Sequence, residues 1–217
     1  PTPTATATAT VTPTPTMVPP SAVIGHVFVD SNGNGAQEFG EVNLPNVTVI
    51  ITDSLGIQQQ ATTDSNGNYH ATVPAGQVIV DIDETSLPSG YIQTAGTDPT
   101  IASVPVGATL DAGNDGYQPT GVVTGVIYLD QDGDGIYKSG IDVPFAGVSV
   151  EITDSKGVVH TVTTNESGVY TVTVPVGQST VNVVESTLPA TNGLTKGSAD
   201  TVTVVVPIGG IAVDDVG

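Results

Sequence analysis

Val23 to Gly35 reads VIGHVFVDSNGNG, and about one hundred residues later Val123 to Gly135 reads VTGVIYLDQDGDG. Each stretch opens on β-branched and aromatic residues and then breaks into Asn-Gly or Asp-Gly pairs. That combination describes a strand running into a tight polar loop. The correspondence continues downstream. Val47-Thr48-Val49 matches Val148-Ser149-Val150, Thr52-Asp53-Ser54 matches Thr153-Asp154-Ser155, and Thr72-Val73-Pro74 matches Thr173-Val174-Pro175. Glu84 to Pro88 (ETSLP) matches Glu185 to Pro189 (ESTLP). Two copies of one fold are the direct reading. They are expected to divide the chain into a Pro/Thr-rich segment at 1–20, a first copy at 21–118 and a second at 119–217. The junction Gly116-Tyr117-Gln118-Pro119-Thr120 is short and contains Pro, so it should be stiff.

Within the first copy the strand-like runs are Val23–Asp30, Val47–Asp53, Gln58–Thr63, Asn68–Val73, Gln77–Asp83, Thr100–Val106 and Thr109–Asn114. Val47, Val49 and Ile51 fall on one face, as do Val148, Val150 and Ile152. Turn chemistry is plain at Asn66-Gly67 and at Asp154-Ser155-Lys156-Gly157. No helical periodicity competes. About seven short strands per copy predict an all-β chain of two tandem immunoglobulin-like or prealbumin-like β-sandwiches behind an extended N-terminal segment.

Composition narrows the function. The 217 residues include 22 acidic side chains against three lysines, a formal charge of −19. Such a chain repels nucleic acid and anionic membranes, and its natural counter-partner is a cation. It has no Cys, so it holds no disulfide. No apolar run approaches the ~20 residues of a membrane-spanning helix. The chain begins at Pro1 with no leader, which suggests a processed product or a piece of something longer.

The loop after the first strand carries the chemistry. Asp30, Asn32, Asn34, Gly35 and Glu41 fit the calcium-loop pattern D-x-[DN]-x-[DN]-G-x₅-E at every specified position. Oxygens at positions 1, 3 and 5 point into a tight turn, and glycine permits its sharp bend. The carbonyl of Ala36 adds a backbone ligand, and Glu41 closes the shell with two oxygens. Glu38 is placed to act through a water. The second copy offers Asp130, Asp132, Asp134 and the carbonyl of Ile136. One residue is inserted after Gly140, so Asp142 is the displaced counterpart of Glu41. An all-oxygen set suits calcium rather than a softer metal. Without flanking helices, the expected role is static. Extracellular calcium modules bind with Kd of roughly 10⁻⁴–10⁻³ M. Calcium well above Kd would add about 1.4–2.7 kcal/mol per site.

The order of strand, DxNxNGxxxxxE loop, GVTV-like strand, TDSNGNY turn and P-G-Q hairpin resembles the SdrD B-like domains of Gram-positive surface proteins. These are related to the Cna B-type fold. The resemblance covers roughly 21–217 and implies a calcium-stabilised prealbumin-like sandwich used as a rigid stalk. By motif, it places the metal on Asp30, Asn32, Asn34 and Glu41, then on Asp130, Asp132, Asp134 and Asp142. Some related pilin domains carry a Lys–Asn isopeptide bond. The first copy has no Lys, and Lys138, Lys156 and Lys196 all fall in loops or turns, so none is expected. Leu188-Pro189-Ala190-Thr191-Asn192 looks like a sortase signal but reads as an inter-strand loop.

The remaining residues are weighed against blander roles. His26, His70 and His160 do not align between copies and are expected to be ordinary strand residues. Glu84 and Glu185 are candidates for a second cation site. Asp111, Asp115, Asp214 and Asp215 are candidates for a junctional one. The Pro/Thr-rich segment 1–20 reads either as an extended, polyproline-like linker or disordered spacer, or as an assembly strand: its central TATATATVT is strand-compatible, and since an isolated strand is not stable in water it would then contact a neighbouring domain or subunit. The chain ends at Gly217, the counterpart of Gly116, which suggests that another domain or chain follows. Together these features point to a non-enzymatic, calcium-stabilised stalk or filament module that is extracellular or at the cell surface and self-associates end to end. An adhesin or carbohydrate-binding module is the alternative, with Tyr128, Tyr137 and Tyr170 as its aromatic platform. An accessory domain of a secreted enzyme is a third.

Overall fold

The computed structural model describes residues 19–189 and 201–217. Residues 1–18 of the Pro/Thr-rich segment, Ala190–Asn192 of the sortase-like stretch and Lys196 lie outside the described residues. Among those described there are only strands, two short 3-10 turns and loops. The strands of the first half are β1 (Ser21–Val29), β2 (Thr48–Thr52), β3 (Gln58–Thr62), β4 (Asn68–Val73), β5 (Gly76–Ile82), β6 (Tyr91–Ala95) and β7 (Thr100–Val104). A long strand, β8 (Thr109–Val126), follows. The second half holds β9 (Tyr128–Leu129), β10 (Val143–Pro144), β11 (Ser149–Thr153), β12 (Val159–Thr163), β13 (Val169–Pro175), β14 (Gly177–Val183), β15 (Thr201–Val206) and β16 (Ile211–Val213).

Period-2 patterning places the core. In β2 and just before it, Val47, Val49 and Ile51 are buried while Thr48 and Ile50 are only half-buried. Val148, Val150 and Ile152 repeat this in the second half. The sheet β3-β2-β5-β7 contributes Val49, Ile51, Val78, Val80, Ile82 and Val104 to one buried cluster. From the opposite layer, β1, β4 and β8 add Val23, Val27, Tyr69, Ala71, Val73 and Tyr117. A second cluster, sharing no residue with the first, joins β12-β11-β14-β15 to β13, β8 and β16. Leu188, from the sortase-like stretch, packs against this second cluster. Burial of apolar area on this scale is the main stabilising term in a chain without disulfides.

Two features differ from the sequence reading. Tyr91–Ala95 forms a strand where none is expected, because its pairing with β8 at Tyr91↔Pro119 and Gln93↔Tyr117 supplies what its weak pattern lacks. The last run of the first copy does not stop at Asn114 but continues as β8 through Gly116–Thr120. Its first part pairs in parallel with β1, from Ala22↔Thr109 to Val29↔Tyr117. Its later part pairs antiparallel with β13, from Thr120↔Pro175 to Val126↔Val169. Loops of both halves close around the crossing: Thr120 donates to the Gly90 carbonyl through its hydroxyl at 2.8 Å, and Gly209 donates its amide to the Thr120 carbonyl at 2.8 Å.

The Asn66-Gly67 turn forms as read. Asp64 accepts the amides of Asn66 (2.8 Å) and Asn68 (3.0 Å). Gly67 has φ +73°, and a Cβ there would lie 2.3 Å from the Val27 carbonyl oxygen. Only glycine satisfies both the left-handed backbone and that close approach.

Candidate metal loops

Loop 1 leaves β1 at Asp30, whose amide donates to the Tyr117 carbonyl of β8 at 3.0 Å. The Asp30 side chain is fully buried. One oxygen accepts the amides of Gly33 (2.7 Å) and Asn34 (3.1 Å), and the other accepts that of Gly35 (2.8 Å). Burial pushes this carboxyl up, but the Thr94 hydroxyl and the three amides outweigh it and hold it below its usual range. Asn32 Oδ1 takes the Asn34 amide and Asn34 Oδ1 takes the Ala36 amide, both at 2.9 Å. Successive short polar side chains therefore wind the loop around one centre. Glu41 ties the end back to the start, accepting from Ser31 (2.7 Å) and Glu38 (3.1 Å).

Loop 2 repeats this framework. Asp130 accepts the amides of Gly133 and Gly135, each at 2.8 Å. Asp132 Oδ1 faces the Asp134 amide at 3.4 Å, and Asp134 Oδ1 accepts the Ile136 amide at 2.9 Å. Asp142 is buried and accepts from Gln131 (3.0 Å) and Lys138 (2.7 Å), the same two loop positions that serve Glu41. The structure thus places Asp142 where the first loop has Glu41, across the inserted residue. Ligand oxygens of Asp130, Asp132 and Asp134 all lie within 4.8 Å of one another, the one such group of three or more His, Cys, Asp or Glu among the described residues. The donor set in both loops is oxygen only, which fits a hard divalent cation. Asp30, Asn32, Asn34, Glu41 and the Ala36 carbonyl would hold it in loop 1. Asp130, Asp132, Asp134, Asp142 and the Ile136 carbonyl would do so in loop 2.

The contrast at the ninth loop position went unread in the sequence, where Glu38 is placed only to act through a water and is not compared with Lys138. In loop 1 that residue is Glu38, which accepts from the side-chain amides of Asn32 and Asn34, at 2.5 Å each. In loop 2 it is Lys138, which donates to Asp132 at 2.7 Å and also to Asp134. Hydrogen bonding to the Lys138 ammonium holds the Asp134 carboxyl below its usual range.

The other candidates fall elsewhere. Tyr128 and Tyr170 are buried, so they cannot form an exposed aromatic platform with Tyr137. Burial fits their pattern: both occupy inward positions on strands. His26, His70 and His160 lie on β1, β4 and β12, and His160 pairs with Asp154 at 2.8 Å. Asp115 is buried in the first half near Asp98. Burial first, and the Asp98 charge second, push its carboxyl up to about 7. Burial likewise raises Asp98, with Glu84 adding to it. The hydroxyl of Tyr69 is buried there without a hydrogen-bond partner.

The class defined by this fold is an all-β module carrying two acidic, oxygen-lined loops. Residues 22–118 match the SdrD B-like domain and form a domain of that family. It is 33% identical over 160 residues to serine-aspartate repeat-containing protein C of Staphylococcus aureus strain N315, covering 67% of this chain and 16% of that protein. The protein of the same name in strain Newman is 32% identical over the same length. The chain thus spans about a sixth of these relatives. Overall similarity to solved structures is lower. The Bacillus anthracis TIE protein superimposes with a TM-score of 0.43 at 15% identity, covering 91% of this chain and 33% of that one. The shaft pilin SpaA from Lactobacillus rhamnosus GG gives 0.33 at 11% identity, covering 93% and 98%. The family places the chain outside the cell or at its surface. No helix of the described residues is long and apolar enough to cross a membrane.

Proposed function

We propose that this chain is a calcium-stabilised structural module, not an enzyme, that serves as a stalk or filament unit of an extracellular surface protein or fibre. In this reading its two halves, 21–118 and 119–217, act as tandem domains that assemble end to end. Residues 1–20 reach a neighbouring domain or subunit.

The position of loop 1 carries this reading. Its first residue is bonded to Tyr117 of β8, and a Cβ at Gly33 would lie 2.8 Å from the Gln118 side chain. Loop 1 therefore packs on β8 beside the point where the strand passes from one core to the other. A cation bound there would lock the crossing as well as neutralise clustered carboxylates.

The test is to compare the full chain in calcium and in EGTA by calorimetry, elastase digestion and small-angle X-ray scattering. Calcium should raise the melting temperature, slow cleavage and lengthen the particle. Identical melting, cleavage and scattering in both buffers would refute the calcium part. Deleting residues 1–20 and imaging by electron microscopy tests the assembly part, which fails if fibres are unchanged.

A further inference from the structure

The two loops share one framework but reverse the charge of the side chain at its centre. Loop 1 counts Asp30, Glu38 and Glu41, a formal −3. Loop 2 counts Asp130, Asp132, Asp134 and Asp142 against Lys138, which is −4 + 1 = −3. The amides of Glu38 and Lys138 make the same bond, to the closing carboxylate of their loops. Both side chains then reach back to loop positions 3 and 5. Glu38 brings carboxylate oxygens to two neutral amides. Lys138 brings an ammonium to two carboxylates, and those are the groups a divalent ion would need in loop 2.

We propose that Lys138 is a tethered counter-cation that competes with calcium for Asp132 and Asp134, making loop 2 the weaker and less calcium-dependent of the two sites. This rests on the reading of both loops as calcium sites. An ammonium and a divalent ion cannot occupy the same pair of oxygens, so the ion must displace Lys138 to bind. In the absence of calcium, Lys138 relieves the repulsion among carboxylates that would otherwise open the loop. Loop 1 has no internal cation, and its folding leans on the buried Asp30 network and on the metal.

Calcium titration calorimetry on the full chain tests this, with Asp30→Ala and Asp134→Ala assigning the heats to loops 1 and 2. Two affinity classes are expected, the weaker lost in Asp134→Ala. Lys138→Met should tighten that class about tenfold, and Lys138→Glu, which restores the charge of Glu38, should tighten it further, with the stronger class unmoved. In EGTA, Lys138→Met should melt earlier than the parent chain, and calcium should erase the difference. If both loops bind calcium but Lys138→Met leaves the weaker affinity unchanged, the competition is refuted while the calcium reading stands. If neither parent nor variant binds calcium, both fall together.

Discussion

Loop 1 and loop 2 begin from the same motif but live in different surroundings. A Cβ placed at Gly33 or Gly35 would meet Gln118 or the Thr94 carbonyl, whereas at Gly133 and Gly135 it would meet nothing within 4 Å. Asp30 is accordingly 0% exposed, while Asp130 is half-buried. The start of the first loop, at Asp30, Gly33 and Gly35, is backed by β6 and β8, whereas the start of the second is not; most of the residues that follow are exposed in both. The same difference appears in the cores. Asp115 pairs in register with Val27, and the corresponding partner of Ile127 is Val216. One half thus buries a carboxyl where the other buries a methyl-bearing side chain. Near these positions, the Tyr170 hydroxyl donates to the Asp214 carbonyl at 2.8 Å, but that of Tyr69 has no partner. A repeat therefore conserves a backbone framework while its electrostatics depend on what each copy is packed against.

The largest way to break this comparison is Asp30→Ala. It strands three amides in a loop packed against β8, and should destabilise the first half by about 3 kcal/mol. Asp130→Ala removes two amide bonds at a loop without that backing and should cost about a third as much. Hydrogen exchange of β1 and of the second-half strands reads each half separately. Equal losses would show that the backing of loop 1 by β6 and β8 is energetically irrelevant.

Asp115→Val, which copies Val216, comes next. Burial raises the Asp115 carboxyl from 3.8 to about 7 in the folded protein. The folded state then holds its proton more tightly than the unfolded chain does. Its stability is undiminished below pH 4, declines as pH rises through 4 to 7, and is lowest above 7. The variant should remove that decline and gain on the order of 2 kcal/mol at pH 8, with no gain at pH 3.5. Melting curves across this range check the slope. A gain of equal size at both pH values would assign the effect to packing alone.

The tyrosine hydroxyls sharpen the comparison at smaller scale. Tyr170→Phe loses a buried hydrogen bond and should cost about 1 kcal/mol in the second half. Tyr69→Phe removes a hydroxyl with no partner and should be neutral or slightly stabilising, within about 0.5 kcal/mol. Chemical denaturation of both variants ranks them. A larger cost at Tyr69 would mean that its hydroxyl is satisfied in solution.

Much of the architecture was legible because it rests on local rules. The alternation of Val47, Val49 and Ile51 announced a strand with one buried face. Asn66-Gly67 announced its turn, and the insertion after Gly140 led to Asp142 before its amide partners were visible. Tyr91–Ala95 was not legible, since Ile92 and Gln93 follow no clear alternation and the strand exists through its pairing with β8. The extension of β8 was hidden by Gly116 and Pro119, which read as a junction between strands. Tyr128 and Tyr170 looked available as a platform because a sequence shows a strand's period but not which face meets the second layer.

From its sequence alone this chain was committed to β-structure, to a twofold repeat and to two acidic oxygen-rich loops, because turn chemistry, side-chain alternation and ligand spacing act over a few residues. Only the tertiary structure decided that β8 is shared by both cores, that Asp30 is buried against β6 and β8 while Asp130 is half-exposed, and that Glu38 and Lys138 reach the centres of their loops. Those outcomes depend on which distant segments meet, and contacts between residues such as Gly33 and Gln118 leave no mark in either local stretch.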